Sequence, residues 1–329
     1  MNTSLSPSPL IALVLQNDAG LRLEILPWGA TVISIQLHGR ELTLRHQRLE
    51  DYLFNDGYLG ATIGRYANRL ANGQLKLDDQ SWQLDTAGGD HCLHGGRGFS
   101  HQCWQVIRHD VDAIELFLHS PDGDSGFPGD LSVWQQISLV GTEVRFSFRA
   151  TTHSATVVSL TNHCYFNLDG SPDTRAHQLQ LFSQQFLPVA ADLIPTGEVQ
   201  DVTGSAFDFR HPVTIAANLA KTDPQLLLVG GFDHCFVFAD DAGTLRPMAT
   251  LSSAISGIRL TVSSTQPGLQ FYGGHALSAP FLSRQGLCLE AQNWPDAPNR
   301  SGFPNAVLRH GDVYQQQIVY AFSQFDPQE

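Results

Sequence analysis

The sequence predicts an all-β fold, and two observations support that prediction. Short runs in which apolar and polar residues alternate recur along the chain, separated by Gly, Asp, Asn and Pro. Such alternation is typical of strands that bury one face. Long helical patterns do not alternate with these runs, so we expect an antiparallel sandwich or barrel with few short helices.

The strands are predicted in chain order from this alternation. Residues 75–82 are expected to form two strands folded over Asp78 and Asp79. Residues 213–221 have weak amphipathic spacing, and residues 49–56 are compatible with a short turn. The chain has no internal repeat or low-complexity linker, so residues 1–329 are expected to form one domain. The other alternating runs are 21–25, 33–37, 114–118, 144–148, 178–181, 258–262 and 287–290.

The composition bounds the class of protein. The chain has 329 residues, of which 42% are hydrophobic and 16% charged, which is ample for a large core. Its 19 basic and 32 acidic residues give a net charge of −13. Such a surface repels phosphate backbones, so neither nucleic acid nor an anionic membrane is an expected partner. No apolar stretch approaches the roughly 20 residues of a membrane span.

The five cysteines are widely scattered, which favours reduced thiols in a cytoplasmic protein over a disulfide framework. No exposed apolar helix pattern calls for an obligate partner, so a monomer or weak homodimer is expected.

The stretch from Thr161 to Gly170 contains the first candidate site. If it is a strand, His163, Tyr165 and Asn167 share one face. Adjacent polar side chains need partners, which suits a ligand-facing groove better than a dry interior. A solvent-facing polar strand remains the alternative at this point.

Glu290 is a candidate general base. In the run 287–290, Cys288 and Glu290 share the face opposite to the leucines, and burying a carboxylate there is costly unless it is paired. Partial burial raises the pKa of such a group toward the operating pH. Together with His163 it would supply one acid and one base, although an exposed strand glutamate fits the local pattern equally well.

Other polar residues allow weaker hypotheses. Asp233 can accept hydrogen bonds from a ligand hydroxyl or serve only in a turn, and Arg69 can hold ligand oxygens or bridge loop carbonyls. His/Cys pairs occur at residues 91–94, 163–164 and 234–235, but their spacing is not that of a specific metal site. The sequence lacks both a P-loop and a nucleophile elbow.

Seven motifs, taken together and in order, resemble the aldose 1-epimerase (galactose mutarotase) family. They are residues 60–69 (GATIGRYANR), 93–96 (LHGG), 122–129 (DGDSGFPG), 161–168 (TNHCYFNL), 232–234 (FDH), 269–272 (LQFY) and 289–292 (LEAQ). The resemblance implies a large antiparallel β-sandwich with a sugar site in a concave groove and no metal or organic cofactor. It implies a monosaccharide substrate whose α and β anomers, as in galactose or glucose, are interconverted by ring opening and closure.

The resemblance also implies roles for individual residues. Glu290 falls at the position of the general base and His163 at that of the general acid. The positions that bind or orient the sugar are matched by Asn68, Arg69, His94, Tyr165, Asp233 and Gln270. The chain departs from the family pattern at His91 and at residues 273–275 (GGH), which places the sugar preference in question more than the chemistry.

Three rival functions remain. An epimerase of the same fold acting on hexose 6-phosphates would need a basic cluster, of which the acidic composition gives no hint. A carbohydrate-binding protein without turnover would not need both His163 and Glu290. A metal-dependent hydrolase would use the His/Cys pairs.

Overall fold

The computed structural model describes residues 10–238 and 242–326, and strands dominate it. The first strands are β1 (Leu13–Gln16), β2 (Leu21–Leu26), β3 (Thr31–Leu37), β4 (Arg40–Glu41), β5 (Thr62–Ile63), β6 (Arg69–Leu70), β7 (Gln74–Leu77), β8 (Gln80–Gln83), β9 (Cys92–Leu93), β10 (Gln105–His109), β11 (Ala113–Ser120), β12 (Leu131–Val140) and β13 (Glu143–Thr152). They are followed by β14 (Thr156–Val157), β15 (Thr161–Asn162), β16 (Gln178–Leu181), β17 (Gln185–Phe186), β18 (Gln200–Asp201), β19 (Val213–Thr214), β20 (Asp233–Val237), β21 (Arg246–Ser253), β22 (Ile258–Ser264), β23 (Gly268–Tyr272), β24 (Cys288–Gln292), β25 (Val307–Leu308) and β26 (Tyr314–Gln324).

The largest sheet has nine strands in the order β10-β11-β12-β13-β26-β22-β21-β16-β19, and every neighbouring pair is antiparallel. The strand β12 shows why the sequence alternates: its residues are buried at every second position. The apolar side chains therefore cover one face of the sheet.

A five-stranded sheet, β18-β17-β20-β23-β24, and a four-stranded sheet, β1-β2-β3-β4, complete the main layers. One continuous cluster of buried side chains includes inward-facing residues from all three sheets, for example Ile25, Phe146 and Phe271. The core thus lies between packed sheets, as in a sandwich. Shorter antiparallel pairs, β5 with β15 and β6 with β9, hold the segments at its edge.

The all-β prediction is confirmed, and most of the predicted strands are found. The predicted runs 21–25, 33–37, 114–118, 144–148, 178–181 and 258–262 fall within β2, β3, β11, β13, β16 and β22. Residues 287–290 begin one residue before β24. The hairpin of β7 and β8 turns at Asp78 and Asp79, and Asp78 has the positive φ of 53° that favours Asp or Asn in a tight turn.

Helices are short. The α-helices are α1 (Ile215–Leu219) and α2 (Pro224–Val229), and the 3₁₀ helices are Leu49–Phe54, Ala71–Gly73, Phe99–His101, Asp124–Gly126, Thr174–Ala176 and Ala297–Asn299. The weak pattern at 213–221 contains α1, whereas α2 was not predicted. The residues at the ends of α2 are nevertheless typical of helix boundaries. Asp223 caps the N-terminus, Pro224 follows, and Gly230 ends the helix in the left-handed region.

Two further predictions concern the surroundings of the protein. Across residues 10–238 and 242–326, none of the helices has the length and apolar character to span a bilayer. All five cysteines are free thiols, and Cys103 is the exposed one.

Candidate active site

A groove of about 520 Å³ opens over one face of the five-stranded sheet. Seven of the eight predicted site residues line it: His163, Glu290, Asn68, Arg69, His94, Tyr165 and Asp233. The eighth, Gln270, is 2% exposed and lies behind the wall, where its side chain contacts Asp233. The seven lining residues come from five separate segments of the chain, which therefore converge on one cavity.

The register of the five-stranded sheet places the acidic groups. Glu290 pairs with Gln270, while Tyr272 pairs with both Cys288 and Asp233, so all five side chains project from the same face. The residues between them are apolar and belong to the main core. The predicted common face of Cys288 and Glu290 is thus found, and it is the face toward the groove.

The stretch around His163 departs from the predicted strand. Regular pairing ends with β15, and the chain then follows an irregular path. His163 and Tyr165 both line the groove, but Asn167 donates from its side-chain amide to the carbonyl oxygens of Ser171 and Gln285. The predicted common face is therefore wrong for Asn167, because the bend turns its side chain into a loop.

Glu290 directs a nearly fully buried carboxyl group into the groove. Its Oε2 receives no hydrogen bond from the described residues. Burial raises the pKa of Glu290 well above its ordinary value; the nearby Asp233 carboxylate raises it further, and the Arg69 guanidinium opposes them. A buried carboxylate oxygen without donors is costly as an anion, so this setting shifts Glu290 toward its protonated form.

His163 faces this carboxyl group. Its Nε2 lies 3.7 Å from Oε2 of Glu290, and its Nδ1 lies 3.5 Å from Sγ of Cys288. Burial lowers the pKa of His163 to about 4, so the imidazole is neutral at neutral pH. The carboxyl group and the imidazole thus place one candidate acid and one candidate base face to face in the groove.

His94 is the second imidazole of the groove. Its ring packs edge-on against that of His163, with the ring centroids 5.1 Å apart. Its Nδ1 accepts a hydrogen bond of 3.2 Å from the backbone N–H of Asn68, and its own backbone N–H donates to the Asn68 carbonyl. Burial lowers its pKa well below the usual value, and the charges of His163 and Arg69 lower it further. Because Nδ1 is an acceptor, the ring proton lies on Nε2, and His94 is a neutral donor.

The loop that carries His94 depends on a glycine. Gly95 has a φ of +80°, and a Cβ at this position would lie 2.2 Å from the carbonyl oxygen of Gly64. No larger side chain fits this contact, which holds the loop of residues 93–96 against the segment that leads to Asn68 and Arg69.

Arg69, Asp233 and Gln270 form a chain along one wall. The guanidinium of Arg69 lies 3.7 Å from Oδ2 of Asp233, and Gln270 donates from Nε2 to Oδ1 of Asp233 at 2.6 Å. Gln270 therefore fixes the carboxylate, and the remaining donors of Arg69 face the groove. This wall offers both donors and acceptors to a polyhydroxylated ligand.

Arg65 explains two of the sequence motifs, and its role is structural. It is 1% exposed, and its guanidinium donates to the carbonyl oxygens of Ser120, Pro121, Pro128 and Gly129. Residues 122–129 thus anchor the segment that carries Asn68, and they contribute nothing to the lining of the groove.

Within residues 10–238 and 242–326, His94, His163 and Glu290 come close enough to share a metal ion, with ligand atoms within 4.8 Å of one another. An imidazole that binds a metal usually donates from its other ring nitrogen. In His94 that nitrogen accepts from a backbone N–H instead, so its Nε2 carries a proton and not a free lone pair. The donor set does not fit a metal. Cys164, which was considered as a metal ligand together with His163, belongs instead to the main core.

The two departures from the family pattern lie at different places. His275 lines the groove, and its ring packs edge-on against Tyr272 with centroids 5.2 Å apart. His91 is behind the lining: its Nδ1 accepts from the backbone of Asn72, and its Nε2 lies 3.6 Å from Oδ2 of Asp192. His275 is thus the departure that a ligand meets.

Sequence analysis missed several residues of the groove. Tyr58 lines it with its ring 4.7 Å from that of His94, and burial raises its pKa to about 12. Phe281 lines the groove from the loop of residues 275–281. Tyr58 stands just before the 60–69 motif and was detectable by that position, whereas the loop has no distinguishing pattern.

Comparisons with known proteins agree with this geometry. A family model described as aldose 1-epimerase matches residues 12–321. The galactose mutarotase of Bos taurus is 39% identical over 325 residues, covering 94% of this chain and 93% of that protein. The aldose 1-epimerase of Escherichia coli (strain K12) is 36% identical, covering 95% of each. The crystal structure of an aldose epimerase homologue from C. elegans has a TM-score of 0.89 and 29% identity, and the match covers 96% of this chain and 99% of that one.

Proposed function

This chain belongs to the aldose 1-epimerase family, and we propose that it interconverts the α and β anomers of free aldohexoses such as galactose and glucose. One observation carries the proposal: a buried carboxyl oxygen without a hydrogen-bond donor among the described residues, Oε2 of Glu290, lies 3.7 Å from Nε2 of a neutral His163. Anomer exchange needs one group that takes a proton from the anomeric hydroxyl and one that gives a proton to the ring oxygen.

The single proton of the pair supplies both steps. Transfer of the Glu290 proton to Nε2 of His163 makes a carboxylate and an imidazolium. The carboxylate takes the proton of the anomeric hydroxyl, the O–H electron pair forms the aldehyde double bond, the bond from C1 to the ring oxygen breaks, and that oxygen takes the Nε2 proton. The pair ends as acid and neutral imidazole, which is its resting state. Rotation about C1–C2 and the reverse steps give the other anomer.

The other groove residues bind and orient the sugar. His94 presents an Nε2–H donor and Arg69 a guanidinium to the oxygens on which charge develops, which is where donors lower a barrier most. Asn68, Tyr165 and Asp233 supply further polar contacts. Gln270 acts through Asp233, whose carboxylate it holds.

The groove supports free sugars over sugar phosphates. A phosphate dianion is usually held by a cluster of basic side chains. Among the described residues that line the groove, Arg69 is the one arginine or lysine, and Asp233 already lies 3.7 Å from it.

The test is polarimetry on freshly dissolved α-galactose and α-glucose with purified protein, in the presence and absence of a chelator. We expect faster approach to the anomeric equilibrium with both sugars and no effect of the chelator. A folded protein that does not accelerate the change would overturn the proposal. Acceleration confined to glucose 6-phosphate would transfer the assignment to the phosphorylated substrates.

The pH dependence follows from the one-proton pair. Since the pKa of His163 is lowered to about 4 and that of Glu290 is raised, kcat/KM should stay level as the pH falls from 7 to 5. It should decline on the alkaline side, where the pair loses its proton. Asp233→Asn removes a charge that raises the pKa of Glu290, so the alkaline limb should move to lower pH. A steep loss between pH 7 and pH 5 in the wild type would contradict this scheme.

The proposal extends to the setting of the enzyme. Residues 1–329 act as one domain, and the protein works in the cytoplasm as a monomer or weak homodimer. The scattered free thiols support a cytoplasmic location, because thiols stay reduced in that compartment. The net charge of −13 supports a monomer or weak dimer, because like-charged copies repel each other.

A further inference from the structure

The ring nitrogen of His163 that faces away from Glu290 contacts a buried thiol. Cys288 Sγ lies 3.5 Å from Nδ1, and the Cys288 side chain is fully buried. The thiol also has a hydrogen bond with the side chain of Tyr165. Glu290, Cys288 and Tyr165 therefore surround one imidazole, and two of them lie on the same strand, β24.

The groups on the two sides of the His163 ring decide which of its nitrogens carries the proton. Burial raises the pKa of the Cys288 thiol well above its usual value, so the sulfur is a thiol and keeps its proton. On the other side of the ring, Nε2 faces Oε2 of Glu290 across 3.7 Å, and it must offer a bare lone pair if it is to take the Glu290 proton in the proposed mechanism. The single ring proton of a neutral His163 must then lie on Nδ1 and point at the sulfur.

We propose that Cys288 is a positioning residue, whose sulfur accepts a hydrogen bond from Nδ1–H of His163 and so makes Nε2 the nitrogen that gains and loses the proton. The same sulfur also accepts a hydrogen bond from the hydroxyl of Tyr165. This inference deepens the proposed function and rests on it for its kinetic consequences. The hydrogen bond a histidine makes through one nitrogen selects the state of the other.

The neighbouring imidazole supplies an internal contrast. His94 receives a backbone N–H at Nδ1 and holds its proton on Nε2, so it is a fixed donor. His163 has the opposite tautomer, which suits a group that must alternate between accepting and giving. The ring centroids are 5.1 Å apart, yet the different partners of the two Nδ1 atoms give the rings opposite tautomers and therefore different roles.

The kinetic test replaces the thiol. Cys288→Ala removes the side-chain acceptor of Nδ1–H, lets the proton move to Nε2 and should lower kcat about 10-fold or more with little change in KM. Cys288→Ser keeps a group that accepts from Nδ1–H and from the Tyr165 hydroxyl, so it should recover most of that loss. Cys164→Ala is the matched control. Cys164 follows His163 in the sequence, but its buried thiol belongs to the main core, so kcat should be retained.

The spectroscopic test does not depend on turnover. Nitrogen-15 NMR of histidine-labelled protein should report the Nδ1–H tautomer for His163 and the Nε2–H tautomer for His94, with the His163 signals shifting toward the other tautomer in Cys288→Ala. An Nε2–H tautomer of His163 in the wild type, or unchanged kcat and tautomer in Cys288→Ala, overturns the inference. The expected tautomers in a protein inactive on all sugars would overturn the proposed function alone.

Discussion

Glu290→Gln is expected to remove nearly all anomer interconversion while the protein remains folded. Glutamine keeps the shape of the side chain and its place on β24, but it cannot take the proton of the anomeric hydroxyl. A positioned acid or base typically contributes about 10²–10⁴-fold, so the loss of kcat should fall in this range. The measurement is the polarimetric rate at saturating sugar, corrected for spontaneous mutarotation.

The comparison variant is Asp233→Asn, which alters another carboxyl group of the same groove. In the proposed scheme Asp233 contacts the sugar but exchanges no proton with it, so the substitution should change KM more than kcat. Equal urea midpoints for the wild type and Glu290→Gln would show that the fold is intact. A folded Glu290→Gln enzyme with full activity would exclude the proposed mechanism.

His163→Asn should cost as much as the loss of Glu290. Asparagine can offer a hydrogen bond to the ring oxygen, but it cannot give up a proton to it and take it back. We therefore expect kcat to fall by about 10²–10⁴-fold, with a smaller change in KM. Because the two residues share one proton, the double variant should lose little more activity than either single variant.

His177→Asn is the control for loss of a buried imidazole. His177 is fully buried and accepts from the backbone N–H of Leu168, outside the groove. Its replacement should lower the free energy of unfolding and leave kcat per folded molecule unchanged. If His163→Asn behaves in the same way, the role of His163 is structural and the acid–base assignment fails.

The fold was predictable where burial follows the strand period. Runs such as residues 178–181 alternate because one face meets the core, and the match to β16 is complete. The path of the chain after β15 was not predictable, because His163 and Tyr165 leave the regular ladder. Isolated backbone hydrogen bonds and packing against groove rings hold them in place. The helix α2 is too short for a periodic pattern, although its capping residues were visible.

The candidate site was predictable in its members and less so in its arrangement. Motif position identified the seven residues that line the groove. It did not reveal that Gln270 stands behind Asp233, because the distinction depends on the register between β20 and β23. Nor could it supply Phe281, whose place depends on a loop, or show that Cys288 touches Nδ1 of His163.

The register that brings Gln270 opposite Glu290 also bears on how the chain reaches its native state. The groove is completed only when β24 has docked on β23 and when β5, formed by residues far earlier in the chain, has paired with β15. Closing such long loops costs entropy before the contacts repay it, so these pairings form late. Partly folded chains can hold the successive hairpins of β10 to β13 and still lack a working groove. Recovery of catalysis is accordingly a stricter gauge of complete refolding than recovery of strand content.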